Sequence, residues 1–169
     1  MQKVGKFFKV SFEQFENDCK NNLAVLPNNL QEIYDKIQLP KRATMQSAGY
    51  DFFSPFEITL PPKTEIVVPT GIRTKMLDGT FLAVFPRSGL GFKFKMQLCN
   101  TVGIIDADYF NAENEGHILL KVFNDTNKNQ TIVVEQGKGF AQGILLPFGI
   151  TEDDEVNAMR TGGFGSTTK

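Results

Sequence analysis

Tryptophan is absent from this 169-residue chain, histidine occurs once and cysteine only twice. Each shortage closes off a class of chemistry. A single histidine and two scattered thiols form no ligand cluster, so a protein-held zinc is not expected. A Ser-His-Asp triad has no support beyond His117, which stands between Gly116 and an apolar run and reads as a strand residue. Cys19 and Cys99 make at most one bridge, and both are expected as free thiols in a reducing compartment. A surplus of either charge is also lacking, since 18 Lys and Arg against 19 Asp and Glu leave a formal net charge of −1. Proteins held to nucleic acid or anionic lipid by bulk charge usually carry a basic excess, so neither partner is expected. Long apolar runs are missing too. No window nears the roughly 18 apolar residues that span a bilayer. Residues 1–10 interrupt their apolar positions with lysine and have no hydrophobic heart of a secretory signal. The cytoplasm is the expected compartment.

What is present suits one soluble domain: 41% hydrophobic residues, 22% charged, and 16 Phe, which report core filling and name no ligand. Ser11-Phe-Glu-Gln14 reads as a capping box that opens a helix, with Phe12, Phe15 and Cys19 at helical spacing. A second helical piece is expected over residues 29–36. Pro27 separates the two, and Pro40 ends the helical part. From Gly49 the texture changes. Short runs rich in Val, Ile, Phe and Thr recur at 57–60, 64–68, 71–75, 81–85, 118–123, 131–134 and 141–147. Strands at this spacing predict an all-β sandwich or barrel. They lie too close together for βαβ crossovers, and no P-loop or Rossmann glycine loop is present.

Five segments have compositions odd for their places. Ala48-Gly-Tyr-Asp-Phe52 is a glycine-containing turn that delivers Asp51 at the start of the β region. Pro86-Arg-Ser-Gly-Leu-Gly91 follows an apolar strand. It gathers the Arg87 guanidinium, the Ser88 hydroxyl and free backbone N–H groups around Gly89, a set suited to phosphate oxygens. In Asn100-Thr-Val-Gly-Ile-Ile-Asp-Ala-Asp-Tyr109, Asp106 comes straight after an Ile-Ile pair expected to be buried. Desolvation on one side then competes with nearby cations for control of a potential base. An equally simple reading makes this a hairpin whose acids occupy the turn. In residues 137–147 a single amide, Gln142, interrupts an otherwise apolar strand and must find partners in the backbone or a ligand. The tail offers Arg160 ahead of Gly-Gly-Phe-Gly-Ser-Thr167, one cation, one aromatic face and hydroxyls. That composition fits either a frayed end or a lid over a nucleotide.

In order and spacing these five segments resemble the five motifs of the homotrimeric deoxyuridine triphosphatases (dUTPases), across residues 36–168. The resemblance implies an all-β, jelly-roll-like subunit over residues 1–156 with a helical insertion at 11–36. Residues 157–169 would form a flexible arm that closes over a site shared among three chains. It implies Mg²⁺ as cofactor and dUTP as substrate. By the same likeness Asp106 activates the water that attacks the α-phosphorus. Asn100, Gly103, Ile104 and Ile105 recognise uracil, and Tyr109 lies beneath the deoxyribose and excludes a 2′-hydroxyl. Arg87, Ser88 and Gly89 bind phosphate, Gln142 sits near the α-phosphate, and Asp51 lies close to metal-bound waters. Phe164 would close over the base, with Gly165, Ser166 and Thr167 along the phosphates and Arg160 toward the γ-phosphate. Arg160 stands one residue nearer the glycines than is usual in the family. Gly139 stands where members often carry a basic residue, and residues 110–115 look like an enlarged hairpin tip.

Two other readings compete. A dCTP deaminase shares the fold and trimer, but generally lacks the Gly-Gly-Phe-Gly-Ser-Thr arm. A jelly-roll interaction module with a regulatory protein partner would use the 11–36 extension or the tip after Tyr109, although nothing in the sequence demands such a partner.

Overall fold

A computed structural model describes residues 2–156. The chain opens with β1 (Gly5–Lys9), α1 (Phe12–Asn22) and α2 (Leu30–Asp35). Six strands follow: β2 (Lys41–Arg42), β3 (Tyr50–Phe53), β4 (Ile58–Leu60), β5 (Glu65–Pro69), β6 (Ile72–Met76) and β7 (Thr80–Pro86). A short helix α3 (Ser88–Phe94) leads into β8 (Met96–Leu98) and β9 (Gly103–Asp106). A 3-10 helix over Ala107–Asn111 precedes β10 (Leu119–Asn124), β11 (Ile132–Val134) and β12 (Gly139–Pro147). All pairings are antiparallel, in sheets ordered β2-β3-β12-β7-β9, β5-β10-β8, β1-β6 and β11-β4. This is the all-β, jelly-roll-like architecture expected.

The sequence explains the placement. β7 lies between β12 and β9, and its Leu82, Ala83 and Val84 are buried in succession, as a central strand covered on both faces requires. β10 alternates instead, burying Leu120 and Val122 while Lys121 faces out. Phe52, Leu82, Phe140, Val68 and Val122 meet in one core with Phe15 and Cys19 of α1. The helical segment is therefore part of the core, packed beside β5. Burial, with Asp18 and Glu16 nearby, pushes the Cys19 thiol up to about 12, which leaves it inert. Cys99 is exposed, and both cysteines are free thiols.

The start of α1 departs from the expected capping box in an informative way. Ser11 Oγ accepts from the Gln14 N–H at 3.1 Å, as a cap should. The return bond does not come from Gln14, whose amide donates to Asp18 Oδ2 at 2.8 Å. Glu115 supplies it, taking the Ser11 N–H at 2.8 Å and the Ser11 hydroxyl at 2.6 Å. The segment expected as an enlarged hairpin tip is thus the end of a 3-10 helix and a turn that clamp α1.

About two turns along α1, Asp18 Oδ2 lies 2.5 Å from His117 Nδ1, and His117 is fully buried. His117 Nε2 accepts the Gly71 N–H at 2.7 Å, so the ring is neutral with its proton on Nδ1. With both nitrogens committed, His117 is a structural tie between α1 and the β core. Burial pushes the pKa of Asp18 up, but hydrogen bonds from His117 and Gln14 outweigh it and hold the carboxyl below its usual range.

Candidate active site

Asp51, Gln142 and Phe85 form one row across β3, β12 and β7. Asp51 therefore belongs to a strand rather than a turn. Its carboxylate meets the Arg87 guanidinium, with Oδ1 3.2 Å from Nε, just beyond the end of β7. Arg87 Nη1 also donates to Gly139 O at 3.4 Å, while the side chain stays 44% exposed. The guanidinium lies across Gly139, where a Cβ would stand only 2.8 Å from Nη1. Gly49 does the same for Gln142, since a Cβ there would meet Oε1 at 2.7 Å. Gln142 finds its partner in the backbone, donating to Pro86 O at 3.2 Å. Arg87 is thus aimed by a carboxylate on one side and a missing side chain on the other. Replacing Gly139 with Ala is expected to push the guanidinium off Asp51 and lower kcat/KM by about tenfold, with little change in melting temperature. Steady-state kinetics beside a thermal melt checks this.

Ser88 and Gly89 open α3 and do not form an open turn: Leu90 and Gly91 N–H both donate to Arg87 O, at 3.1 and 3.0 Å. Both residues are exposed. Chain direction reverses again at Asn100. Thr101 N–H donates to Leu98 O at 3.0 Å, with Thr101 at φ 67°, and Val102 N–H donates to Asn100 O at 2.7 Å. The strands flanking this turn do not pair with each other. β8 joins β10, whereas β9 joins β7. Among the described residues no ladder pairs β9 with β10, and Cys99 N–H, one residue past β8, extends the β8–β10 pairing by donating to Lys121 O at 3.0 Å. A cavity of about 420 Å³ occupies the gap, with Asn100, Gly103 and Ile105 on one side and Leu119 and Leu120 on the other. A slot flanked by strand edges that do not pair with each other suits a flat heterocycle with donors and acceptors on its rim.

The Ile-Ile pair is only half buried, which corrects the sequence reading. Strand alternation turns Gly103 and Ile105 inward, leaves Ile104 54% exposed and brings Asp106 out beside it. Tyr109 is buried, its hydroxyl donating to His117 O at 2.9 Å and accepting from Asn114 Nδ2 at 2.7 Å. Asp106 sits opposite Phe81 on β7. Arg87 lies six residues further along the chain, one past the end of β7 and about 20 Å away. Within one chain, the acid and the phosphate-type cluster do not meet.

Arg160, Phe164, Gly165, Ser166 and Thr167 lie outside the described residues. Among the described ones no group of three or more His, Cys, Asp or Glu could hold a metal ion. The Asp18–His117 and Ser11–Glu115 ties left no sign in the sequence; Gly49 and Gly139 were visible there, but not as the residues that make room for Gln142 and Arg87.

Several comparisons bear on this arrangement. The family model described as dUTPase matches residues 35–168. A deoxyuridine 5'-triphosphate nucleotidohydrolase of Lactococcus lactis is 39% identical over 134 residues, covering 78% of this chain and 88% of its own length. The enzyme of that name from Methylobacillus flagellatus is 34% identical over 154 residues, 86% of this chain and 95% of its own. The dUTPase of Streptococcus mutans superposes with a TM-score of 0.61 at 39% identity, covering 68% of this chain and 88% of its own. The dUTPase from phage phi11 of S. aureus, at 19% identity and TM-score 0.62 over 93% of this chain and 98% of its own, shares the fold. With a family match over most of its length and relatives that carry the same enzyme name, the chain belongs to the dUTPase family.

Proposed function

We propose that the protein hydrolyses dUTP to dUMP and pyrophosphate in a homotrimer whose sites are each built from more than one chain. Asp106 accepts a proton from the attacking water. The water oxygen bonds to the α-phosphorus as the bond to the bridging oxygen breaks, and pyrophosphate leaves in line. Arg87, Ser88 and Gly89 hold phosphate oxygens, and Gln142 borders the α-phosphate. Asn100 and the backbone of Gly103, Ile104 and Ile105 pair with the uracil rim, and Tyr109 underlies the deoxyribose. Arg160, Phe164, Gly165, Ser166 and Thr167 close over the nucleotide.

The slot between β9 and β10, with Asp106 at the end of its β9 wall, carries this reading. The separation of Asp106 from Arg87 supports shared sites, since a triphosphate held by Arg87 of one chain needs the acid of another. The donor set also fits Mg²⁺. That ion keeps several waters and takes most of its protein-side charge from phosphates, so one carboxylate acting through water, Asp51, suffices. When bound it would supply neutralisation of the phosphate charge. In the cytoplasm such an activity would limit uracil in DNA and supply dUMP for thymidylate synthesis.

Pyrophosphate release with Mg²⁺ from dUTP, dCTP, dTTP and UTP in parallel tests the reading. Turnover of dUTP is expected to exceed the others by at least about 100-fold. Equal turnover of UTP would remove the sugar role of Tyr109, and ammonia released from dCTP would establish a deaminase instead.

A further inference from the structure

We propose that α1 completes the nucleobase slot, with Asn22 as a specificity-determining contact to the N–H edge of the pyrimidine; this rests on the dUTP reading above. Asn22, the last residue of α1, lines the same cavity as Asn100, Gly103 and Leu119. Its Nδ2 donates to Asp18 O at 2.8 Å, which fixes which way the amide faces. The carbonyl Oδ1 is then the acceptor that Asn22 has to offer. Uracil carries an N–H at N3, where cytosine carries a lone pair, so an acceptor at the slot favours the first and repels the second. α1 is also held still enough to matter. Asp18 bonds His117, two residues before the Leu119 wall, and Glu115 clamps Ser11 at the other end of the helix. The family match begins at residue 35. The wall supplied by Asn22 thus lies outside the segment by which the family is recognised.

Steady-state kinetics of Asn22→Ala on dUTP and dCTP, with Asn21→Ala as the exposed neighbour, is the test. Asn22→Ala is expected to raise KM for dUTP by about tenfold with kcat within about twofold, and to narrow the preference for dUTP over dCTP by a similar factor. Asn21→Ala is expected to leave both unchanged. If Asn22→Ala does not fold, Asn22→Ser serves, together with maleimide labelling of Cys99, the exposed thiol lining the slot. Excess dUMP should slow labelling of the wild type, and about tenfold more dUMP should be needed in the variant. A wild type that turns over dUTP while both Asn22 variants match Asn21→Ala in KM overturns the α1 contact. A wild type without dUTP turnover and without dUMP protection overturns the underlying reading.

Discussion

Trimers reassembled from equal amounts of Asp106→Asn and Arg87→Ala chains are expected to recover about a quarter of wild-type turnover, although each variant alone is nearly inactive. On the proposed mechanism Asp106→Asn keeps the shape of the acid and loses the base, for an expected loss of about 10²–10⁴-fold in kcat with nucleotide binding largely intact. Arg87→Ala removes the guanidinium that Asp51 and Gly139 aim. Asp106 and Arg87 lie near opposite ends of β7, so a site that uses both draws them from different chains. In random mixing, half the donors of each group are intact, and the two choices are independent. Turnover of the mixture, measured after denaturation and joint refolding, should therefore rise well above the average of the two parents. No recovery would mean that acid and cation act from one chain, and the shared-site reading would fall.

The second large effect concerns the tie between α1 and the β core. Asp18→Ala leaves the buried His117 Nδ1–H without its carboxylate, which is expected to cost about 2–3 kcal/mol, read as a lowered denaturation midpoint. The same tie gives a pH dependence of definite sign. Asp18 and Glu115 both have folded pKa values below their ordinary ones of 3.8 and 4.5. For Glu115, burial works upward, and the Ser11 hydrogen bonds with nearby Arg73 outweigh it. Groups lowered on folding add stability that is fully present above the unfolded values and is lost as pH falls through the folded ones. Acidification below about pH 4.5 should therefore free α1 before β10. Amide exchange along both elements, followed from pH 7 to pH 3, reads this order directly. Simultaneous loss of protection in α1 and β10 would show that these two carboxylates do not hold the helix.

Much of the fold was legible because alternation and turn residues act locally. All seven expected runs from 57–60 onward became strands, and Ser11 caps α1 as its hydroxyl and position dictate. The losses came where distant partners decide. Gln14 had the right type and spacing to complete the capping box, yet Glu115, a hundred residues on, was better placed. Arg87 to Gly91 looked like a turn because of its glycines, but the Arg87 carbonyl collects two N–H groups and starts a helix. The site residues were legible as chemical types. Their division between the two ends of a sheet was not, because it depends on the β7–β9 register, which no local pattern encodes.

The gap between β9 and β10 has a bearing on the lifetime of the protein. Among the described residues no backbone ladder spans the slot between β9 and β10, so nothing in the main chain duplicates the contacts a ligand would make there. If the slot holds the pyrimidine as proposed, the bound nucleotide favours the folded state, and such a ligand adds stability that grows with the logarithm of its concentration. The nucleotide pool would then act as a chaperone for its own enzyme, prolonging its survival when substrate is plentiful and letting it turn over faster when substrate is scarce.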